Sequence, residues 1–123
     1  MNYKITIIIP LFGRIQYTKI WFKENIRNDF FYIFADGSLD NEHEKFFSNI
    51  TLKNIKYIRY KKDKQYFDYI IKMSQASKLV KTKYTMTSDN DDFLNFDGIN
   101  KCIKFLENNN NYSFASGNTC FVN

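Results

Sequence analysis

Asp89, Asp91 and Asp92 put three carboxylates within four positions, directly after Tyr84-Thr85-Met86-Thr87-Ser88, where apolar and hydroxyl side chains alternate as in a strand. Two unit charges about 4 Å apart repel by about 4 kcal/mol at an effective dielectric of about 20. Acids crowded at a strand end therefore either face open water or share a cation. Alternate positions of an extended segment point the same way, so Asp89 and Asp91 can share one task. Cys102 and Cys120 form no C-x-x-C pair and His43 is the one histidine, so there is no zinc set and a metal would have to be bound by oxygen. A calcium loop of the EF-hand type starting at Asp89 fails, because Leu94 stands where the sharp turn needs Gly.

Three other polar corners carry residue types able to do chemistry: Pro10 to Arg14, Asp36-Gly37-Ser38, and the basic run Arg59 to Lys64. Arg14, Arg59, Lys62 and Lys64 are cations that could steady phosphates, or ordinary solvated charges. His43, between Glu42 and Glu44, is expected in solvent, and Cys102 in the core side of a helix.

An alternation of strand and helix has to position these corners. Lys4 to Ile9 is a continuous β-branched run closed by Pro10, as in a buried parallel strand. Tyr17 to Ile26 has helical spacing, and Phe30 to Ala35 reads as a second strand. Ser38 or Asp40 can cap a short helix over 41–48, and Ile55 to Tyr60 is a third strand. Gln65 to Val80 sets Tyr66, Tyr69, Ile70, Met73, Ala76 and Val80 on one helical face. Tyr84 to Ser88 is the fourth strand. A helix starting at Asn95 or Asp97 turns Ile99, Cys102, Ile103 and Leu106 inward, and Tyr112 to Ser116 reads as a fifth strand. This order predicts an α/β fold with a mostly parallel sheet, whose ligands settle at the carboxyl ends of the strands. All four polar corners fall there.

The 123 residues suit one domain, spanning 1–123, and 44% hydrophobic content supplies a core. The net charge of +5 is scattered rather than gathered on one face, which argues against a nucleic-acid module and leaves a mild attraction for phosphates or an anionic surface. The sequence shows no signal-peptide pattern and no long apolar run, so a cytoplasmic location is expected, with association at the inner face of a membrane left open. A dinucleotide site lacks its G-x-G-x-x-G, since Phe12-Gly13-Arg14 offers one glycine.

Thr6-Ile7-Ile8-Ile9-Pro10 with Arg14, then Ala35-Asp36-Gly37-Ser38 and Asp40, then Thr82-Lys83-Tyr84 leading into Asp89-Asn90-Asp91-Asp92-Phe93, resemble the nucleotide-sugar half of a family 2 glycosyltransferase of the GT-A fold. Tyr17-Thr18-Lys19 with Trp21, Ile58-Arg59-Tyr60 with Asp63-Lys64, and Phe105-Leu106-Glu107-Asn108 are similar to a bacterial subgroup of that family. The resemblance implies a domain that binds a nucleotide-diphosphate sugar, a UDP-sugar above all. It would transfer the sugar to an acceptor hydroxyl on a glycan or lipid-linked molecule, for cell-surface polysaccharide. Pro10, Phe12, Arg14, Asp36, Ser38 and Asp89 would hold the nucleotide sugar. Asp36 would accept a hydrogen bond from a uracil or ribose group, the alternative being an Asx-type turn with Gly37. Asp89-Asn90-Asp91 corresponds to the D-x-D motif, with Asp91 as ligand of Mg²⁺ or Mn²⁺ and Asp89 facing the ribose or the metal's waters.

Two departures stand out. Ala35 fills a place where many members carry an acid, which affects the choice of nucleotide. The half that normally brings the acceptor pocket and catalytic base has no counterpart here, so the catalytic residue is unassigned and the chain reads as truncated. The alternatives are a non-catalytic nucleotide-binding or assembly module and, more distantly, a nucleotidyltransferase, which would want a Gly-rich phosphate loop after the first strand.

Overall fold

The computed structural model describes residues 2–118, 120 and 121. The chain divides into two compact units, Met1–Phe93 and Leu94–Asn123. The first holds β1 (Ile5–Leu11), α1 (Ile15–Asn25), β2 (Phe31–Asp36), α2 (Glu42–Phe47), β3 (Ile55–Arg59), α3 (Tyr66–Ser77) and β4 (Tyr84–Thr87). Its four strands form one sheet in the order β3-β2-β1-β4, every neighbouring pair parallel.

Strands covered on both faces need apolar residues throughout, and β1 and β2 supply them. Ile7, Ile9, Leu11, Tyr32, Ile33, Phe34 and Ala35 have no exposed surface. On one face Ile8, Ile33 and Ala35 pack with Ala76 of α3, flanked by Met73, Leu79 and Val80. The other face is aromatic: Trp21 of α1 meets Tyr32 and Phe34 edge-on, and Phe47 of α2 lies against Phe34 and stacks on Tyr57.

Pro10 does not end β1, which runs on to Leu11. The Ile8 carbonyl accepts the Ser88 amide on the β4 side, so Pro10, two residues on, points its ring nitrogen to the same side. The β1–β4 register stops at Ile8 opposite Thr87, and no ladder bond there needs the missing N–H.

α1 begins at Ile15, earlier than its apolar spacing predicts. Gly13 and Arg14 both turn through the left-handed region, with φ of 63°, and the Arg14 carbonyl then accepts the amides of Tyr17 and Thr18.

The second unit consists of α4 (Phe96–Asn108) and irregular chain. Asn95 is the cap, its side chain accepting the Gly98 amide at 3.0 Å. Ile99, Cys102, Ile103 and Leu106 are half-buried, and no residue of α4 is fully buried. The expected strand over Tyr112 to Ser116 does not form. The Tyr112 ring instead lies edge-on to Phe105, and its amide bonds the Asn109 carbonyl, closing a turn after the helix.

Candidate functional site

Parallel pairing brings the carboxyl ends of all four strands to one edge. There Leu11 stands opposite Asp36, and Asp36 opposite Arg59. Asp36 closes β2 with no exposed surface, a position a carboxylate tolerates only when its oxygens are bonded. One oxygen accepts the Ser38 amide at 2.9 Å, which is the Asx-type turn. The other accepts the Tyr57 hydroxyl at 2.5 Å and the Arg59 guanidinium at 2.9 Å. Arg59 also donates to the Ser38 carbonyl at 2.6 Å. Burial by itself would raise the Asp36 carboxyl, but the Ser38 hydroxyl, Tyr57, the Ser38 amide and Arg59 together hold it below the ordinary value of 3.8. Burial, then the bond to Asp36, pushes the Tyr57 hydroxyl up.

Gly37 admits a second acid. Asp63 comes so close that a Cβ at position 37 would overlap its carboxylate. The Asp63 amide donates to the Gly37 carbonyl at 2.8 Å, and one carboxylate oxygen pairs with Lys72. Lys72 also donates to the Leu11 carbonyl at 3.3 Å, and the second Asp63 oxygen is buried without a partner. Lys72 and Tyr57 stand at this edge without having been singled out in the sequence, where Asp63 entered only within the basic corner and the Asp63-Lys64 likeness. Lys72 left the better signal, as a cation inside the apolar run from Tyr69 to Ala76.

The acidic loop sits at the same edge, beyond β4. Oxygens of Asp89, Asp91 and Asp92 lie within 4.8 Å of one another, and all three residues are exposed. Arg14, held in its left-handed turn, reaches Asp91 at 3.1 Å and lies 4.8 Å over the Tyr17 ring. Slight burial, then repulsion by Asp91 and Asp89, raises the Asp92 carboxyl. The segment is not extended as its sequence suggests: Asn90 and Asp91 form a turn in which the Asp92 amide meets the Asp89 carbonyl at 3.4 Å, and Asn90 points inward and is buried.

His43 corrects its expected place in solvent: it is fully buried. Its charged neighbours Glu42 and Glu44 occupy the outer face of α2, while His43 is turned beneath α1 and meets Thr18 at 2.7 Å and Ser38 at 3.3 Å. Asn90 in turn donates to Thr18 at 2.9 Å, and the Gly13 amide donates to the Ser38 hydroxyl at 2.8 Å. Burial lowers the His43 pKa, with Asp36 and Asp40 opposing it.

Pro10 is half-buried, Phe12 and Arg14 are exposed, and Asp36 and Ser38 are enclosed. Two hollows among the described residues contain none of these. One of about 320 Å³ opens between α2 and β3, and one of about 60 Å³ is lined by Tyr60, Lys61, Asp68, Ile71, Lys72 and Gln75. The candidate edge gathers its polar groups at the carboxyl ends of the strands.

The chain superimposes on S. aureus TarS 1-349 with a TM-score of 0.64 at 16% identity, over 87% of this chain and 33% of that one. The fold is that of part of a GT-A domain. A second structure of S. aureus TarS matches with a TM-score of 0.58 at 14% identity, over 87% of this chain and 20% of that one. The chain thus spans about a third of the length of TarS 1-349. No protein-family profile and no curated protein matches the sequence. GT-A architecture accounts for the parallel order, with the acids of Asp89 to Asp92 at the carboxyl end of β4 and the Asp36 corner one strand beyond β1.

Proposed function

We propose that this chain is a nucleotide-sugar-binding domain of a glycosyltransferase, of the family 2 type its motifs resemble. The observation that carries the reading is the convergence of the Asp89-Asp91-Asp92 oxygens with the Arg14 and Asp36 corners on one edge of a GT-A sheet. The likeness to the glycosyltransferase TarS supports the fold part of it.

The donor set fits a hard divalent cation. It is all oxygen, it is exposed, and in the free protein the Asp91 charge is met by a guanidinium rather than left bare. Mg²⁺ commonly takes one or two carboxylates and completes its shell with water and substrate phosphates. Asp91, with Asp89, would hold Mg²⁺ or Mn²⁺, which supplies charge neutralisation for the departing nucleoside diphosphate. With a cation held by Asp91, Arg14 would be freed from its pair with that acid and available to phosphate oxygens. Phe12, half exposed beside Pro10, offers a ring to the base or ribose. Asp36 is engaged on both oxygens, so its part is to fix Ser38 and Arg59. A base or ribose donor reaches Asp36 only by displacing Tyr57 or Arg59.

A second reading is a module that binds nucleotide without transferring sugar. At this edge Asp36 and Asp63 are both buried in ion pairs, which leaves Asp92 as the remaining acid able to deprotonate an acceptor hydroxyl. Association with an anionic membrane also belongs to the proposal. Lys61, Lys62 and Lys64 adjoin the exposed Tyr66, Phe67, Ile70 and Ile71 of α3, and no helix among the described residues is long and apolar enough to cross a membrane.

Calorimetry with UDP and UDP-sugars, with and without Mn²⁺, beside a donor-hydrolysis assay, tests the reading. Metal-dependent binding is expected, and Asp91→Ala should weaken it at least about tenfold, as loss of a charge-assisted ligand does. Equal affinity of Asp91→Ala and the parent in Mn²⁺ would remove the metal assignment. Binding without any turnover selects the second reading.

A further inference from the structure

Between the acidic loop and the Asp36 corner runs a buried hydrogen-bonded chain through Thr18, His43 and Ser38. Asn90 Nδ2 carries only protons, so it donates to Thr18 Oγ1. At the other end the Asp36 carboxylate can only accept, and it accepts the Ser38 amide at 2.9 Å. The Ser38 hydroxyl oxygen accepts the Gly13 amide at 2.8 Å and lies 3.3 Å from His43 Nδ1. His43 Nε2 lies 2.7 Å from the Thr18 hydroxyl, and in neutral His43 one ring nitrogen donates while the other accepts. Both imidazole nitrogens are satisfied in either neutral tautomer.

Asn90 lies between two of the clustered acids, and its buried side chain is anchored through Thr18. The Ser88 hydroxyl, at the foot of the same loop, accepts the Trp21 indole at 3.3 Å from the same helix as Thr18. Acids that repel one another keep a common orientation only where the backbone between them is pinned, and Asn90 is that pin. Its anchor depends in turn on His43, from a different helix.

We propose that His43 is a positioning residue for the metal-binding loop: through Nε2 it fixes Thr18, Thr18 fixes Asn90, and Asn90 presents Asp89 and Asp91 together. This inference rests on the metal reading given above and adds to it a residue that touches neither cation nor nucleotide. Outer groups that orient metal ligands typically account for about 10- to 100-fold in metal affinity.

The test separates the two nitrogens. A glutamine amide reaches the place of Nε2 and an asparagine amide only that of Nδ1. Binding of Mn²⁺ alone is followed by loss of the free-ion electron paramagnetic resonance signal, and Asn90 side-chain amide exchange by NMR. His43→Gln should bind Mn²⁺ within about threefold of the parent, whereas His43→Ala and His43→Asn should bind about tenfold more weakly. Thr18→Val should match the weaker pair, and the Asn90 amide should exchange faster wherever affinity falls. Unchanged affinity in His43→Ala overturns the inference. So does an equal loss in Gln, Asn and Ala variants that tracks their melting temperatures, which is the mark of a packing role alone. A parent that binds no Mn²⁺ while its Asn90 amide stays protected refutes the metal reading, and with it the consequence claimed for His43, but leaves the chain of hydrogen bonds standing.

Discussion

Gly37 is required by what stands beside it rather than by its own backbone. The Asp63 carboxylate fills the space of a Cβ, and the Lys72 pair keeps that carboxylate from swinging away. Overpacking a tight site costs about 1 to 3 kcal/mol, and disturbing a buried ion pair adds to it. Gly37→Ala should therefore lose about 3 kcal/mol in urea denaturation, and Gly13→Ala less, since nothing lies within 4 Å of a Cβ there and only its positive φ opposes one. At this scale the sequence was legible where residue type alone limits the choice: acids at alternate positions, a glycine after an acid, no zinc ligands. It was not legible where partners come from afar. Asp36 was expected to face a base or ribose, yet Tyr57 and Arg59 take the oxygen that the Asx turn leaves free, and both belong to a strand more than 20 positions away. Asp63 looked like one more charge in a basic loop until Lys72 and Gly37 closed on it.

Helix and strand positions were largely readable, because the apolar runs of β1 and β2 and the spacing of α3 are what burial on a parallel sheet demands. Ends were less so. The Arg14 turn and the passage of β1 through Pro10 depend on neighbours that periodicity does not show. His43 was misjudged for a related reason: α2 is only six residues long, too short for a charge pattern to tell its buried face from its wet one. α3 starts with a reciprocal cap, Gln65 accepting an amide of the first turn while Asp68 Oδ2 accepts the amides of Lys64 and Gln65 at 3.0 and 3.1 Å. Loss of such a cap costs about 1 kcal/mol. Asp68→Ala should lower stability by about that amount without altering nucleotide affinity, because the side chain faces the helix start and not the acidic loop. Parallel denaturation and calorimetry on the variant check both halves.

For the molecule as a whole, a likeness to TarS at 16% identity shows the fold alone, so pH offers a readout that depends only on this chain's own polar network. Two of its members are shifted in the same direction. His43 sits below its ordinary value of 6.5 chiefly through burial, with Asp36, Asp40 and Glu42 favouring its charge and Arg59 opposing it. The unfolded chain therefore binds a proton near pH 6.5 that the folded chain refuses, and stability present above that pH falls as the pH drops through the folded value. Asp36 is held below 3.8 despite its burial by Ser38, Tyr57 and Arg59. Its contribution is intact above 3.8 and is lost as the pH falls through its own lower value. Urea midpoints taken from pH 8 downward should decline in two stages, the first beginning near 6.5 and the second below 3.8. His43→Gln should flatten the first stage and spare the second. Asp36→Asn should be less stable than the parent at pH 7 and converge on it in acid, since protonation removes from the parent the charge that the substitution has already removed. A parent curve flat between pH 7 and 5 would mean that His43 is not held neutral, and its place between Thr18 and Ser38 would have to be redrawn.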